Sequence, residues 1–260
     1  ARTFGSGTIF ISGGAALDPA IAEGLEKLGL TLFQGYGITE TSPIISAECA
    51  GYTRLGTVGR ILPGIEVRID SPNEEMVGEI LVRGPNVMQG YYKNPEATEE
   101  TLADGWYRTG DLGRLDQDGF LAICGRAKNL IVTPNGKNVY PEEVENELLK
   151  SLFIAETVVY GQKVAPLTEE IHALIYPDQE ALDDLARKQG KVTLSAAEVE
   201  ALLRAEVLAA CGGLATFKRV KKFTICRDEF PKTTTRKIKR FVVESDILPG
   251  IAAPLHTNIE

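Results

Sequence analysis

The pattern of apolar and polar positions changes twice along the chain, and its first part alternates strand and helix. Asp18 followed by Pro19 is typical of a helix start, and Gly29 is typical of a helix end. The apolar runs Thr8–Ser12 and Leu30–Phe33 predict the two strands. Between them, Ile21, Leu25 and Leu28 have the spacing of one helix face. The order strand–helix–strand predicts α/β structure here.

From about Thr53 to Ile123 the apolar positions alternate in short segments that turn residues separate. Alternation with a period of two predicts strands, and clusters of Pro, Gly, Asn and Asp predict the turns between them. The predicted strands include Val67–Ile69, Glu79–Arg83 and Phe120–Ile123. This middle part therefore predicts a small antiparallel sheet or barrel.

From Lys128 onward helices and strands alternate again. The clearest helix signal is Ser195 with Glu198, a capping box, and Gly212 marks the end of that helix. Further helices are expected over Pro141–Leu152 and Asp178–Gln189, with strands over Val158–Tyr160, His172–Tyr176 and Val220–Ile225. The chain is therefore predicted to be mixed α/β (α+β) in three parts, 1–58, 59–127 and 128–260, of which the last 20 residues form a loose tail.

Composition narrows the class of protein. Of 260 residues, 43% are hydrophobic and 25% charged, as in globular chains. The net charge of −8 argues against broad binding to nucleic acid or to anionic membranes. No apolar run approaches the roughly 20 residues that a transmembrane helix needs. Four scattered Cys and two His predict neither a zinc site nor a disulfide framework, so reduced thiols and a cytoplasmic location are expected.

Two glycine-rich segments in the first part are candidates for ligand binding. Ser12-Gly13-Gly14-Ala15 lies at a predicted strand end, where missing side chains let the backbone approach a flat ligand; a plain turn is the alternative. In Gly35–Thr41, an aromatic residue between glycines suits stacking on a base, a hydroxyl can bond a phosphate, and a carboxylate can hold Mg²⁺. The alternative for this second segment is a solvated loop.

Three later segments also carry more glycine and charge than folding requires. Asp111, after Gly110, could accept both hydroxyls of a ribose, although an Asx turn is the alternative. The stretch from Gly125 to Val144 lies where the middle pattern ends, so it is either a hinge or an exposed linker. Pro231–Arg240 concentrates cations that could meet phosphates or form a solvated basic face.

Taken together and in this order, these segments resemble the adenylate-forming (AMP-binding) enzymes, most of all the long-chain fatty acyl-CoA synthetases. The resemblance covers roughly residues 8–240 and rests on the runs GYGITETSP, GEILVRGPNVMQGYY, DGWYRTGDLG, GRAKNLI, GKNVYPEEVE and PKTTTRKIK. It implies that ATP and Mg²⁺ convert a fatty acid into an acyl-adenylate, from which coenzyme A then displaces AMP. The partners it implies are these small molecules, with no nucleic acid and with peripheral membrane contact left open.

The resemblance also implies a role for individual residues. Catalysis would fall to Lys237, Glu40 and Thr39, with Glu40 on Mg²⁺ and Thr39 at the α-phosphate. The nucleotide would be bound by Gly13, Gly14, Ala15, Gly35, Tyr36, Gly37, Asp111 and Arg126, and Lys128 would be a hinge. The three parts would be the end of a large N-terminal AMP-binding domain, a β-barrel-like subdomain, and a mobile C-terminal lid.

The chain departs from the family pattern at three points. The expected N-terminal portion, with its pyrophosphate loop and most of the acyl pocket, is absent, so the chain is expected to be an inactive fragment of an active parent. Val132 stands where many relatives carry a second lysine, and Lys137 or Asn138 could take over its contacts. Arg236 precedes Lys237 where the family usually has glycine, and Lys237 is chosen over Lys232 and Lys239 by its distance from Pro231.

Two alternatives to a fatty acyl-CoA ligase remain open. One is a non-catalytic nucleotide-binding or interaction subunit of a split enzyme, although such a chain need not keep Glu40, Asp111 and Lys237. The other is an enzyme that adenylates amino acids or aryl acids.

Overall fold

A computed structural model describes residues 8–14, 17–165, 168–234, 236–248 and 257–258. The chain divides into two compact units, Ala1–Lys128 and Asn129–Glu260. The further division of the first unit near residue 58 stays a prediction. Among the described residues, no helix combines the length and hydropathy that crossing a membrane requires.

The first unit begins with a four-stranded sheet. Its strands lie in the order β1-β2-β3-β4, with β1 and β2 parallel and the later pairs antiparallel. Helix α1 connects the parallel pair, and the side chain of Asp18 caps its first turn as predicted. The elements are β1 (Ile9–Gly13), α1 (Pro19–Lys27), β2 (Thr31–Gly37), β3 (Ile44–Ala47) and β4 (Arg60–Ile61).

The second sheet of this unit is antiparallel and has five strands, in agreement with the alternating pattern. Strands β5, β6, β8 and β7 follow one another in that order, and β9 also pairs with β8. The elements are β5 (Glu66–Asp70), β6 (Gly78–Arg83), α2 (Pro95–Thr101), β7 (Leu102–Ala103), β8 (Trp106–Leu115) and β9 (Leu121–Arg126).

One apolar core joins the two sheets of the first unit. Ile45, in strand β3 of the first sheet, packs in the same buried cluster as Ile80, Val82 and Leu121 of the second. Tyr36 packs against this cluster from β2. Because burial of apolar area drives this packing, the core brings the end of β2 next to β8 and β9.

The second unit contains a four-stranded mixed sheet and the helices around it, so the mixed α/β architecture is confirmed. Its main sheet has the order β12-β13-β14-β15, in which β13 and β14 are parallel and the other two described pairs are antiparallel. The elements are β10 (Ile131–Val132), β11 (Asn138–Val139), α3 (Pro141–Leu148), β12 (Ile154–Ala165), β13 (Thr168–Pro177), α4 (Gln179–Lys188), α5 (Ala196–Cys211), β14 (Lys222–Ile225), α6 (Arg240–Val242), a π-helical turn (Val243–Ile247) and β15 (Thr257–Asn258).

Several predicted boundaries are wrong, including those of β2, α3 and the C-terminal tail. Strand β2 continues beyond Phe33 to Gly37, because Gly35 and Tyr36 pair with β3. Helix α3 ends at Leu148, four residues early, because strand β12 starts at Ile154. The predicted tail is helical up to Ile247, where buried Val243 packs on the sheet.

The capping box at the start of α5 is confirmed and makes stability depend on pH. Glu198 accepts hydrogen bonds from the backbone and hydroxyl of Ser195 at 2.8 and 2.7 Å and pairs with Lys191. The Lys191 ammonium and these Ser195 donors lower the pKa of Glu198 to about 2. A carboxyl whose pKa is lowered by folding stabilises the fold above its unfolded pKa and loses that effect as the pH falls through the folded pKa.

We therefore expect Glu198→Gln to unfold more easily than the wild type at pH 7 and to match it near pH 2. The difference should disappear between the ordinary pKa of about 4.5 and the lowered value of about 2. Urea unfolding followed by circular dichroism across this range measures it. Glu206→Gln, on the same helix, is the matched control, and an equal pH dependence in both variants would contradict the assignment.

Candidate active site

The buried carboxylate of Asp111, in the first unit, contacts two other predicted site residues, Tyr36 and Arg126. The Tyr36 hydroxyl donates to Asp111 Oδ2 at 2.6 Å, and Arg126 Nε lies 2.8 Å from Asp111 Oδ1. The Asp111 side chain is 8% exposed, whereas that of Arg126 is 47% exposed. The cluster therefore holds a carboxylate inside the protein and presents a cation to solvent beside it.

Strand pairing explains why Asp111 and Arg126 meet. They face each other directly across β8 and β9. Thr109 fixes the local backbone, since its buried hydroxyl donates to Ile80 O at 2.8 Å and accepts from Asp111 N at 3.0 Å. Gly110 between them has φ 69°, in the left-handed region that glycine tolerates best. The prediction of an Asp held by a glycine turn is thus modified, because Asp111 lies within a strand.

Burial and charge keep Tyr36 protonated. Desolvation raises the pKa of the Tyr36 phenol well above its ordinary value, and the neighbouring Asp111 carboxylate raises it further. The hydroxyl therefore remains a hydrogen-bond donor over the physiological pH range. Its bond to Asp111 fixes the ring at the end of β2.

The glycine segments meet at the ends of β1 and β2. Gly13 pairs with Gly35 in the parallel register, which places the first segment beside the second. Gly14 has φ 86°, and a Cβ at Gly37 would lie 2.0 Å from Pro43 O, so both positions favour glycine on steric grounds. Ala15 lies outside the described residues.

Glu40 lies in a short 3₁₀ turn, Thr39–Thr41, that directly follows β2. The Tyr91 hydroxyl donates to Glu40 Oε1 at 3.0 Å, and Met88 N donates to the Glu40 carbonyl at 2.8 Å. Tyr107 OH is 3.5 Å from Tyr91 OH, and burial raises the pKa of Tyr107, with Tyr91 and Glu40 adding to the shift. Thr39 is exposed beside this group.

The carboxylate of Glu40 fits only a cation whose other ligands come from elsewhere. Within the described residues no group of three or more His, Cys, Asp or Glu could hold a metal ion. Mg²⁺ commonly takes one or two protein carboxylates together with substrate phosphates and water. Glu40, with one oxygen held by Tyr91, suits that kind of site.

Lys128 and Lys237 belong to different units of the chain. Lys128 is exposed in the 3₁₀ turn Ala127–Asn129 and is the last residue of the first unit. Lys237 belongs to the second unit, on residues 231–239, which we call the Lys237 hairpin. Nothing in the described residues pairs with its ammonium, and its role and the hinge role of Lys128 stay predictions.

Backbone hydrogen bonds join the two arms of the hairpin. Thr233 N donates to Lys237 O and Lys239 N donates to Pro231 O, both at 2.8 Å. Arg236 near the tip has φ 63°, which gives a physical reason why glycine suits this position. Lys232 is bonded to Glu156 and Glu229, so its ammonium is already engaged.

Tyr91, which bonds to Glu40, and Tyr107, whose hydroxyl lies next to that of Tyr91, are not among the site residues that the sequence predicts. The signal for Tyr91 was its place in the run GEILVRGPNVMQGYY, directly after Gly90. No local pattern shows that this tyrosine meets Glu40, because the two residues are 51 positions apart.

Comparisons with known proteins identify relatives of the chain. Residues 1–92 match the family described as AMP-binding enzyme. The chain is 36% identical over 259 residues to a long-chain-fatty-acid–CoA ligase, FadD15, of Mycobacterium tuberculosis, covering 94% of this chain and 41% of the relative. It is 39% identical over 160 residues to a 2-succinylbenzoate–CoA ligase of Bacillus cytotoxicus, covering 59% of this chain and 33% of that protein.

A solved structure agrees in fold. The O-succinylbenzoate coenzyme A synthetase (MenE) of Bacillus subtilis, in complex with ATP and magnesium ion, superposes with a TM-score of 0.73 at 31% identity. The match covers 91% of this chain and 46% of that one. The chain thus spans less than half the length of the relatives it matches.

Proposed function

Because this chain belongs to the AMP-binding enzyme family, we propose that the whole protein is an ATP-dependent acyl-CoA ligase. It would activate a long-chain fatty acid as acyl-AMP and transfer the acyl group to coenzyme A. The observation that carries the proposal is the bonded cluster of Tyr36, Asp111 and Arg126. It combines an aromatic ring, a buried acceptor and an open cation, which are the groups that a nucleotide needs.

The nucleoside would bind at the ends of β1 and β2. Gly13, Gly14 and Ala15 would line adenine and Gly35 and Gly37 would flank Tyr36, whose ring packs on the base. The hydrogen bond of 2.6 Å from Tyr36 to Asp111 supports this, because it fixes the ring. Asp111 would accept the ribose hydroxyls, since a carboxylate is an acceptor with about four lone-pair positions on its two oxygens.

The phosphates would be met by cations and a hydroxyl. Thr39 would touch the α-phosphate, Arg126 would add its exposed guanidinium, and Glu40 would hold Mg²⁺. The metal, when bound, supplies positive charge that stabilises the phosphate oxygens. Lys237 would bring a further cation to the α-phosphate as the acyl carboxylate attacks it, which fits an exposed ammonium on a flexible stem.

The second half-reaction requires a thiol to displace AMP, and Lys128 would be the hinge between the two steps. The use of coenzyme A is supported by the relatives to which this chain is similar, which are CoA ligases.

We propose a long-chain fatty acid as the carboxylic acid substrate. Identity of 36% over nearly the whole chain to a long-chain-fatty-acid–CoA ligase favours a fatty acid. The likeness to succinylbenzoate–CoA ligases makes an aryl acid the second candidate.

The test supplies the full-length protein with ATP, Mg²⁺ and coenzyme A, together with palmitate, o-succinylbenzoate or an amino acid. We expect AMP and palmitoyl-CoA, measured by chromatography, with the highest kcat/KM for palmitate. A preference for the aryl acid would overturn the substrate, and no AMP with any acid would overturn the ligase. The 260-residue chain assayed in parallel tests the prediction that it is inactive alone.

A further inference from the structure

We propose that Lys232 and Arg240 are positioning residues that anchor the Lys237 hairpin to strand β12 and so fix where Lys237 is presented. Both residues lie in the cationic segment Pro231–Arg240, in which only Lys237 has been given a role. The anchoring stands on contacts within the second unit. Its consequence for catalysis rests on the proposed function.

Lys232 fastens the first arm of the hairpin. Its ammonium pairs with Glu156 of β12 and, at 2.8 Å, with Glu229. The other oxygen of Glu156 accepts from Phe230 N at 3.0 Å. Glu156 is 12% exposed and Lys232 is 27% exposed, so water screens this pair only partly. One carboxylate therefore holds both the backbone and the side chain of the segment that enters the hairpin.

Arg240 fastens the chain directly after the hairpin. Its guanidinium donates to the Val159 carbonyl at 2.8 Å and pairs with Glu145 of α3. Glu145 in turn accepts from Val159 N at 2.7 Å. The pair thus satisfies both backbone groups of Val159. Among the strands that the structure describes, β12 is at the end of the sheet order, where backbone groups on the outer side need partners other than a strand.

Apolar contacts close the base of the hairpin between the two anchors. Phe230 and Ile238 pack in a cluster with Val158 and Leu174 of the sheet. Lys232 and Ile238 form a β-bridge across the base. The base of the hairpin therefore packs against the sheet, whereas Arg236 and Lys237 near the tip are exposed.

The contacts of the three cations differ: Lys232 and Arg240 are anchored to the second unit, whereas Lys237 is exposed to solvent. Lys232 and Arg240 form ion pairs with Glu156 and Glu145. Lys237 has no ion-pair partner in the described part of the chain. A side chain that is already held in position loses less conformational entropy on reaching the transition state. The reaction is therefore faster, although no new contact to the substrate is made. Loss of an anchor should therefore lower kcat of adenylation more than it changes KM for ATP.

The first experiment measures anchoring without any assay of function. Hydrogen exchange by NMR on the 260-residue chain follows the amides of Thr233 and Lys239, which close the hairpin. We expect Lys232→Met to speed their exchange about tenfold, the loss typical of a partly buried ion pair, while amides of β13 stay protected. Lys239→Met is the matched control, because no ion pair of Lys239 exists among the described residues, and it should change exchange by less than about twofold.

The second experiment measures the two half-reactions in the full-length protein. For Lys232→Met and for Arg240→Lys, which keeps the charge but not the forked contact, we expect about a tenfold lower kcat of ATP–pyrophosphate exchange at an unchanged KM for ATP. Thioester formation from preformed acyl-adenylate should be unaffected.

The outcomes separate this proposal from the ligase proposal. Unchanged amide exchange in Lys232→Met would overturn anchoring. Faster exchange with unaltered adenylation would overturn the positioning role, and equal losses in both half-reactions would mean general damage and overturn it too. Absence of adenylation in the wild-type protein would overturn the ligase while leaving the anchoring result intact.

Discussion

Lys237→Ala in the full-length protein is expected to lower the rate of acyl-adenylate formation by about a thousandfold, the upper range for removal of one preorganised charge from a transition state. Negative charge accumulates around the α-phosphate as the carboxylate attacks, and an ammonium stabilises it more there than in the bound substrate. Lys237 is exposed at its hairpin tip, so removing it should leave the fold intact. ATP–pyrophosphate exchange measures the effect.

The design depends on separating the two half-reactions. Lys237→Ala should still convert preformed acyl-adenylate and coenzyme A into thioester at nearly the wild-type rate, which shows that the protein is folded. Lys239→Met, two residues away, should retain adenylation. If Lys237→Ala kept the wild-type exchange rate, the catalytic role of this lysine would be wrong.

Asp111→Ala should weaken both the fold of the first unit and the binding of ATP. It leaves the part-buried Tyr36 hydroxyl without its acceptor, and we expect a loss of about 1–3 kcal/mol in the free energy of unfolding. Most of that loss comes from Tyr36, because the Arg126 side chain is 47% exposed and water can replace its partner. KM for ATP should rise about ten- to hundredfold, since a charged acceptor is lost.

A double-mutant cycle distinguishes the two effects of Asp111. Tyr36→Phe removes the stranded hydroxyl, so Asp111→Ala should cost much less stability in the Tyr36→Phe background than in the wild type. The rise in KM for ATP should persist in that background. Asp118→Ala removes an exposed partner of Arg54 in the same unit and should leave both quantities nearly unchanged. Additive stabilities would contradict a direct Tyr36–Asp111 interaction.

The sequence could predict most secondary-structure elements because their causes are local. The Asp18 cap, the Ser195–Glu198 box and the alternating strands of the middle part depend on residues within a few positions of one another. Boundaries failed where tertiary contacts extend or shorten an element. Gly35 and Tyr36 belong to a strand only because β3 pairs with them.

The site was predictable as a set of residues but not as a set of contacts. The ordered segments named Tyr36, Glu40, Asp111 and Arg126 through a resemblance, and the structure joins Tyr36 to Asp111 and Arg126. Tyr91 received no role, because nothing near it in the chain reveals its bond to Glu40.

Helix caps, turn positions and the identity of the charged groups can be predicted from the sequence, since they follow from residue chemistry and short-range hydrogen bonding. Which groups share a hydrogen bond, and which cations are already paired, depends on contacts between distant parts of the chain. Tyr36 and Asp111 are 75 positions apart, and the apolar core that aligns their strands sets their 2.6 Å contact. The same holds for Lys232 and Lys237, which are alike as residues, whereas Glu156 of a distant strand pairs with the first.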